Sequence, residues 1–257
     1  LVCSRESLYN RRVNEEKFMA LELVTAEAIN PPVSSQRSMP VLHSGDRLTR
    51  TEFERRYNAM PQVKKAELIE GVVYMPSPVS RAHAEIHSRM NTVLGVYAAT
   101  TPGAIVGDNG TVRLDPDNDP QPDVYLRLDE WLGGNASVSA DGYLEGAPEL
   151  IVEIAASSSS YDLHDKKNAY RRNRVQEYIV WQLYEEQILW FRLENEEYVE
   201  VKPDAKGILR SQIFPGLSLD VKAMLKGDVA KALKTLQTGL ASPAHKAFVR
   251  KIAKARK

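Results

Sequence analysis

One glutamate, Glu153, lies inside the most apolar run of this chain, Glu149-Leu150-Ile151-Val152-Glu153-Ile154-Ala155-Ala156. The run reads as a strand, and a strand interior of that kind tolerates no lone charge. Burying an unpaired carboxylate is costly enough that such a group is neutralised by a proton, paired with a cation or ligated to a metal. Which of the three applies to Glu153 decides how the rest of the sequence is read.

With 257 residues, 43% of them hydrophobic and 26% charged, and a formal net charge of zero, the composition is that of an ordinary soluble globular protein. No electrostatic partner is announced by the whole chain. The charge is unevenly placed, however: residues 226 to 257 carry nine Lys or Arg against the single acid Asp228. The only cysteine, Cys3, excludes an intrachain disulfide framework and any multi-cysteine zinc or iron–sulfur site. It also fits a reducing compartment. No apolar run reaches the length of a membrane span and the amino terminus lacks a secretory pattern, so a cytoplasmic protein is expected.

Three segments are expected. Residues 1–45, with Asn30-Pro31-Pro32 and no sustained apolar period, read as a mobile leader; 46–225 read as the folded domain; 226–257 read as a basic carboxy-terminal extension. Within the domain, Thr49 and Glu52 have capping-box spacing for a short helix through Tyr57. Two strands then flank Gly71, from Ala66 to Glu70 and from Val72 to Met75. Ile86, Met90, Val93, Leu94 and Tyr97 recur at spacings of three and four, which predicts a core-facing helix over 80–98. Short strands are expected over 104–106, 111–114 and 124–128, followed by an irregular excursion over 129–147. After the apolar strand come four serines, Ser157 to Ser160, read as a flexible connection, and a helix over 162–173 with Asp162 as its N-cap. A hairpin follows, over 177–184 and 187–193, carrying Trp181 and Trp190. A last strand lies near 198–201.

Three acids lie on or beside separate strands: Glu70, Asp123 and Glu153. Each alone has an ordinary explanation, a turn acid, a strand-initiating acid and an acid paired with an arginine. Together they suggest a cage for a hard divalent cation, which takes oxygen ligands from one or two carboxylates and completes its octahedron with water or phosphate oxygens. Asp162, Lys166 and Tyr170, spaced four apart, share one helix face. An ammonium beside such a site can stabilise charge in a phosphoryl transition state; the plainer reading of Lys166 is an exposed ion pair with Asp162.

The series Glu67-Leu68-Ile69-Glu70-Gly71-Val72-Val73-Tyr74-Met75, Ser77-Pro78 with His83, Val112-Arg113-Leu114, Gln121-Pro122-Asp123, Gly146-Ala147-Pro148-Glu149 through Ile154, Asp162-x-x-x-Lys166-x-x-x-Tyr170, Val175-Gln176-Glu177-Tyr178 and Phe214-Pro215-Gly216-Leu217 resembles the Uma-two family of bacterial restriction-endonuclease-type proteins. The resemblance spans residues 46 to 225. It implies the PD-(D/E)XK nuclease fold, an α/β restriction-endonuclease-like core with a mixed β-sheet flanked by helices, here with an added antiparallel hairpin. It also implies that Asp123 and Glu153 are the metal-binding acids, with Glu70 a further acidic member, and that Mg²⁺ (or Mn²⁺) is the cofactor. In the superfamily pattern a lysine stands two residues after the second acid; Ala155 stands there, and Lys166 on the following helix matches the lysine of the Uma-two pattern. The implied activity is metal-dependent endonucleolytic hydrolysis of phosphodiester bonds, with nucleic acid, DNA first, as partner. Duplex cutting would favour a homodimer. The reading from another class is a catalytically inactive nucleic-acid-binding or partner-binding module on the same fold.

Other chemistries find less support. His83 and His87 are one helical turn apart, as zinc ligands can be, but Glu85 is about 200° round the helix from His83, and no third ligand is evident. GxxxxGK, GxSxG and GxGxxG are absent from the sequence. Trp181 and Trp190 read as hairpin packing, with base stacking as the alternative. The basic carboxy-terminal stretch reads either as a solvated tail or as a follower of nucleic-acid backbone.

Overall fold

The computed structural model describes residues 39–76, 78–156 and 159–255. Most of the leader expected over 1–45, Cys3 included, lies outside these residues, as do Ser77, Ser157 and Ser158. The first helix, α1 (Arg50–Asn58), is capped by Thr49, whose hydroxyl accepts from the Glu52 amide. The Glu52 carboxylate does not close a capping box and instead binds Arg55 and Arg56. Strands β1 (Glu67–Ile69) and β2 (Val72–Tyr74) pair antiparallel around Glu70-Gly71. Both turn residues have positive φ, 53° and 70°, as a two-residue hairpin turn matched to strand twist requires. Gly71 takes that conformation freely, whereas Glu70 pays a steric cost for its Cβ.

Ser80 caps α2 (Arg81–Thr100) by accepting from the His83 amide. The residues this helix buries are Ile86, Met90, Val93, Leu94 and Tyr97, the set picked out by their spacing. The strands that follow are β3 (Ala104–Asp108), β4 (Val112–Arg113), β5 (Val124–Leu128), β6 (Ala136–Val138), β7 (Leu144–Gly146), β8 (Leu150–Ala155), β9 (Glu177–Gln182), β10 (Gln187–Glu194) and β11 (Glu197–Glu200). Six of them form the main sheet in the order β11-β10-β9-β8-β5-β3. β8 and β9 run parallel and the other neighbours antiparallel. The parallel pair needs a crossover, and the chain between them supplies α3 (Ser159–Leu163) and α4 (Asp165–Arg172).

All six residues of β8 are buried because the sheet is covered on both sides. One face packs Leu150, Val152 and Ile154 with Val124, Leu126, Ile179, Trp181 and Trp190 against Met90, Leu94 and Tyr97 of α2. The other face packs Ile151 and Ala155 with Tyr178, Val180 and Phe191 against Tyr170 of α4. Strand alternation puts Glu153 on this second face, beneath α4.

Several expectations need correction. The helix expected over 162–173 is broken at His164, and Asp162 lies inside α3 rather than capping a helix, its carboxylate 3.9 Å from the Lys166 ammonium. The excursion over 129–147 is not irregular throughout: β6 and β7 pair antiparallel and β7 runs parallel to β4, giving three short strands whose backbone groups satisfy one another. Trp181 and Trp190 are each 1% exposed, so neither presents a face to a base.

Beyond residue 201 the periodicity is too weak to predict β12 (Ile208–Arg210) and β13 (Ser218–Asp220), which pair antiparallel, or α5 (Val221–Lys226). The basic stretch is no loose tail within the described residues. It forms α6 (Val229–Leu240) and α7 (Pro243–Ala255); Ala232 and Leu236 enter the main core, Ile252 is buried, and the His245 ring bonds Thr101 at 2.9 Å. Its lysines stay exposed on the outer side. Among the described residues no helix is long and apolar enough to cross a membrane.

Candidate functional site

The sheet register builds the centre of the site. Val124 of β5 pairs with Val152 of β8, and one further step of that register sets Asp123 opposite Glu153. Directly opposed residues share a face with Cβ atoms roughly 5 Å apart, and like charges so placed destabilise a sheet. An oxygen of Asp123, Oδ2, accepts from the Ile154 amide at 2.7 Å, which fixes the side chain against β8. Two acids are thus held together on a buried face, where packing alone would choose apolar residues.

Lys166 reaches this pair from α4. Its ammonium lies 2.9 Å from Glu153 Oε1, 2.9 Å from Glu67 Oε1 and 3.9 Å from Asp162 Oδ1, with all four side chains 4–5% exposed. Glu153 Oε1 also accepts from the Tyr170 hydroxyl at 2.7 Å. The face shared by Asp162, Lys166 and Tyr170 is therefore directed at Glu153, although a helix break separates the first of the three from the others. Both of these hydrogen bonds fall on Oε1, and none to Oε2 is formed by the described residues.

Asp123 is less enclosed, with a side chain 8% exposed, and its other neighbours are His83 Nε2 at 3.3 Å and Lys65 Nζ at 3.8 Å. His83 and Lys65 are 17% and 25% exposed, so the cluster opens to solvent on the side of Asp123. His87 Nε2 is engaged by the Asp123 backbone carbonyl at 2.8 Å, which takes it away from a zinc pair with His83.

Two carboxyls on adjacent strands titrate in opposite directions. Burial pushes Glu153 up to about 8; Lys166 opposes this, while Asp123, Asp162 and Glu67 add to it. For Asp123 burial also works upward, but the hydrogen bond with His83, the Lys65 charge and the Ile154 amide outweigh it and hold the group at about 2. Burial alone would drive the Lys166 proton off, yet Glu153, Glu67 and Asp162 overcome it and raise the group well above the ordinary lysine value. Lys166 is therefore a fixed cation, and the acids around it outnumber it.

Glu70 lies elsewhere. It occupies the hairpin turn and pairs with Arg172 at 2.7 Å, both side chains being a third or more exposed. Its neighbour in sequence, Glu67, holds the place beside Lys166 and also accepts from the Gln121 amide at 2.8 Å. Sequence reasoning missed Glu67 although the signal was present. Ala66, Leu68 and Ile69 around it are fully buried, so the test that singled out Glu153, a charge within an apolar strand, applied equally to Glu67. Lys65 carried no such signal.

Among the described residues no group of three or more His, Cys, Asp or Glu side chains is gathered as a ready cation cage, because Lys166 stands in the middle of the acids. The donor set nonetheless fits a hard dication. Mg²⁺ commonly uses only one or two protein carboxylates, and Asp123 and Glu153 are adjacent, with Glu153 Oε2 uncommitted within the described residues. The surplus of acids over cations is what a dication would neutralise.

The residues of the site lie within 50–222, the span that matches the family model Uma2, described as "Putative restriction endonuclease". No curated protein is recognisably similar to the chain. Among solved structures, a crystal structure titled "a putative nuclease belonging to DUF820", from Anabaena variabilis, superimposes with a TM-score of 0.53 at 16% identity. The match covers 67% of this chain and 96% of that one, and at that identity it shows a shared fold. With two thirds of its length matched by the family model, this chain belongs to the Uma2 family.

Proposed function

We propose that the protein is a metal-dependent endonuclease that hydrolyses phosphodiester bonds, DNA first, at the site formed by Asp123, Glu153, Lys166 and Glu67. The observation that carries this reading is the opposed pair Asp123 and Glu153, a costly arrangement in a sheet interior, with a buried lysine closed on one of its members. Asp123 and Glu153 would hold Mg²⁺ or Mn²⁺. When bound, such an ion acts as a Lewis acid on a phosphoryl oxygen and lowers the pKa of a bound water.

The remaining steps belong to the chain's own residues. Lys166, kept charged by three acids, stabilises negative charge building on the phosphoryl group as water oxygen bonds to phosphorus, giving its proton to solvent, and the ester oxygen leaves and takes a proton from solvent. As a fixed cation it is not a proton acceptor. Glu67 and Tyr170 are positioning residues: Glu67 holds the ammonium, and Tyr170 fixes Glu153 through Oε1. Lys65 and His83, on the open side, meet the incoming phosphate. Glu70, paired with Arg172 on the surface, takes no part in this scheme. A cytoplasmic location and a homodimer for duplex cutting belong to the same proposal.

One observation favours the other reading, a catalytically inactive nucleic-acid-binding or partner-binding module: among the described residues Lys166 stands between the acids, which are not gathered around an open point. Cleavage of plasmid DNA with Mg²⁺ separates the two. Cutting by the wild type that is lost in Glu153→Ala and in Lys166→Ala supports the enzyme. Equal cutting by all three removes the site from the chemistry.

A further inference from the structure

Two cavities on the surface of the described residues have no member of the acid cluster in their lining. The first, of about 420 Å³, is bordered by Arg171, Arg172 and Arg174, but each of these already has an acidic partner. The second, of about 390 Å³, lies between β3, β5 and the β6–β7 hairpin, and its lining includes Asn109, Thr111, Tyr125, Arg127 and Tyr143. Here the cation has no ion-pair partner among the described residues. Arg127 is 8% exposed, and its hydrogen bonding among the described residues is limited to the carbonyl of the adjacent Leu128, at 3.5 Å. Glu149 would be its natural partner, because the β5–β8 register sets residue 149 opposite residue 127. Glu149 instead commits one carboxylate oxygen to the Leu128 amide and the other to the Asn135 amide, at 2.7 and 2.8 Å. The guanidinium lines the cavity without an acidic partner among the described residues, which leaves its N–H groups available to an anion.

Strand alternation puts Arg127 on the same face of β5 as Asp123, four residues further along, hence roughly 13 Å away. Because a strand winds round the helix axis, its phosphates lie about twice as far apart through space as their rise along that axis, so the distance corresponds to about two phosphates of one strand. Gly107 of β3 makes room for the Tyr125 ring, which forms one wall; a Cβ there would overlap the ring. Resting on the nuclease reading of the Asp123 site, we propose that this cavity is a phosphate-binding subsite in which Arg127 grips the substrate backbone about two nucleotides from the bond that is cut. The ligand is a nucleic-acid phosphodiester, recognised by the guanidinium together with the Asn109 and Thr111 side chains at the cavity wall.

The test uses the full chain with Arg127→Met and Arg127→Lys. In melting experiments at constant ionic strength, inorganic phosphate raises the wild-type Tm relative to chloride, and the shift is absent in Arg127→Met. Binding of duplex DNA by Arg127→Met weakens about tenfold, the size of one charge-assisted hydrogen bond, and the slope of log K against log salt falls by about one. Arg127→Lys keeps the slope. On the wild type, a neutral methylphosphonate scanned along the substrate interferes at a position about two phosphates from the cut, a result that needs no variant to fold.

No phosphate-specific shift in the wild type, or an interference scan blank at that distance, overturns the subsite. A wild type that gains the Arg127-dependent phosphate shift yet binds no nucleic acid overturns the nuclease reading, and with it the substrate assigned to the cavity. That failure is distinct from an unresponsive cavity in a protein that does bind and cut DNA.

Discussion

Replacing Glu153 with glutamine should change how stability depends on pH more than it changes stability itself. Glutamine matches the size of the protonated acid and removes its titration. An ordinary glutamate loses its proton near 4.5 and Glu153 at about 8, so between these values the folded state holds a proton that the unfolded state has released. Stability of the wild type then falls as pH rises through that window, because folding must either keep the proton or bury the charge. At ~1.4 kcal/mol per pH unit the full window is worth on the order of 5 kcal/mol, undiscounted for solvent since the side chain is 4% exposed. Lys166 titrates above the window, its proton being held more tightly than in an ordinary lysine, and Asp123 below it, near 2. Neither disturbs the comparison. Urea unfolding at pH 5, 7 and 9 should show Glu153→Gln gaining on the wild type by several kcal/mol across the series. Parallel curves for the two proteins would refute the reasoning, since they would mean that Glu153 is ionised throughout and fully compensated by Lys166.

Other outcomes follow from the same geometry. Lys166→Met leaves three buried acids without their cation and should lose about 3–5 kcal/mol in urea unfolding along with all cleavage, and Lys166→Arg should not restore cleavage, because a planar fork cannot take the place of a point charge among three carboxylates. Glu67→Gln should lower kcat, whereas Glu70→Gln should leave it unchanged and shift stability by less than about 1 kcal/mol, as expected of an exposed pair. Trp181→Ala, in the middle of the main core, should cost about 3–5 kcal/mol by denaturant titration without moving the metal dependence of whatever activity remains.

What the sequence made legible was set by whether the signal was local. The long helix over 81–100 and the β9–β10 hairpin follow from periods of 3.6 and 2 that a few residues suffice to display. The short strands Ala136–Val138 and Leu144–Gly146 have only three residues each, too few to show alternation, and they exist because they satisfy one another and β4. The two carboxy-terminal helices were hidden behind their charge: lysines on the outer side dominate the composition, while Ala232, Leu236 and Ile252 do the anchoring. At the site, Glu153 and Lys166 were readable, one as a charge out of place and the other through a matched motif. Their contact was not, because it depends on the bend at His164 that turns α4 over the sheet. Glu67 was overlooked for its neighbour Glu70, since the turn that sends the second outward to Arg172 and the strand that turns the first inward to Lys166 are properties of the hairpin register.

Diffraction from crystals soaked in Mn²⁺, recorded for its anomalous signal, addresses the metal assignment most directly. The expected result is a peak at roughly 2.0–2.2 Å from carboxylate oxygens of both Asp123 and Glu153, with Lys166 still on Glu153 Oε1, and its loss in Glu153→Gln. A fully soaked crystal with no peak between those two residues, or with manganese held at Glu70 instead, would contradict it.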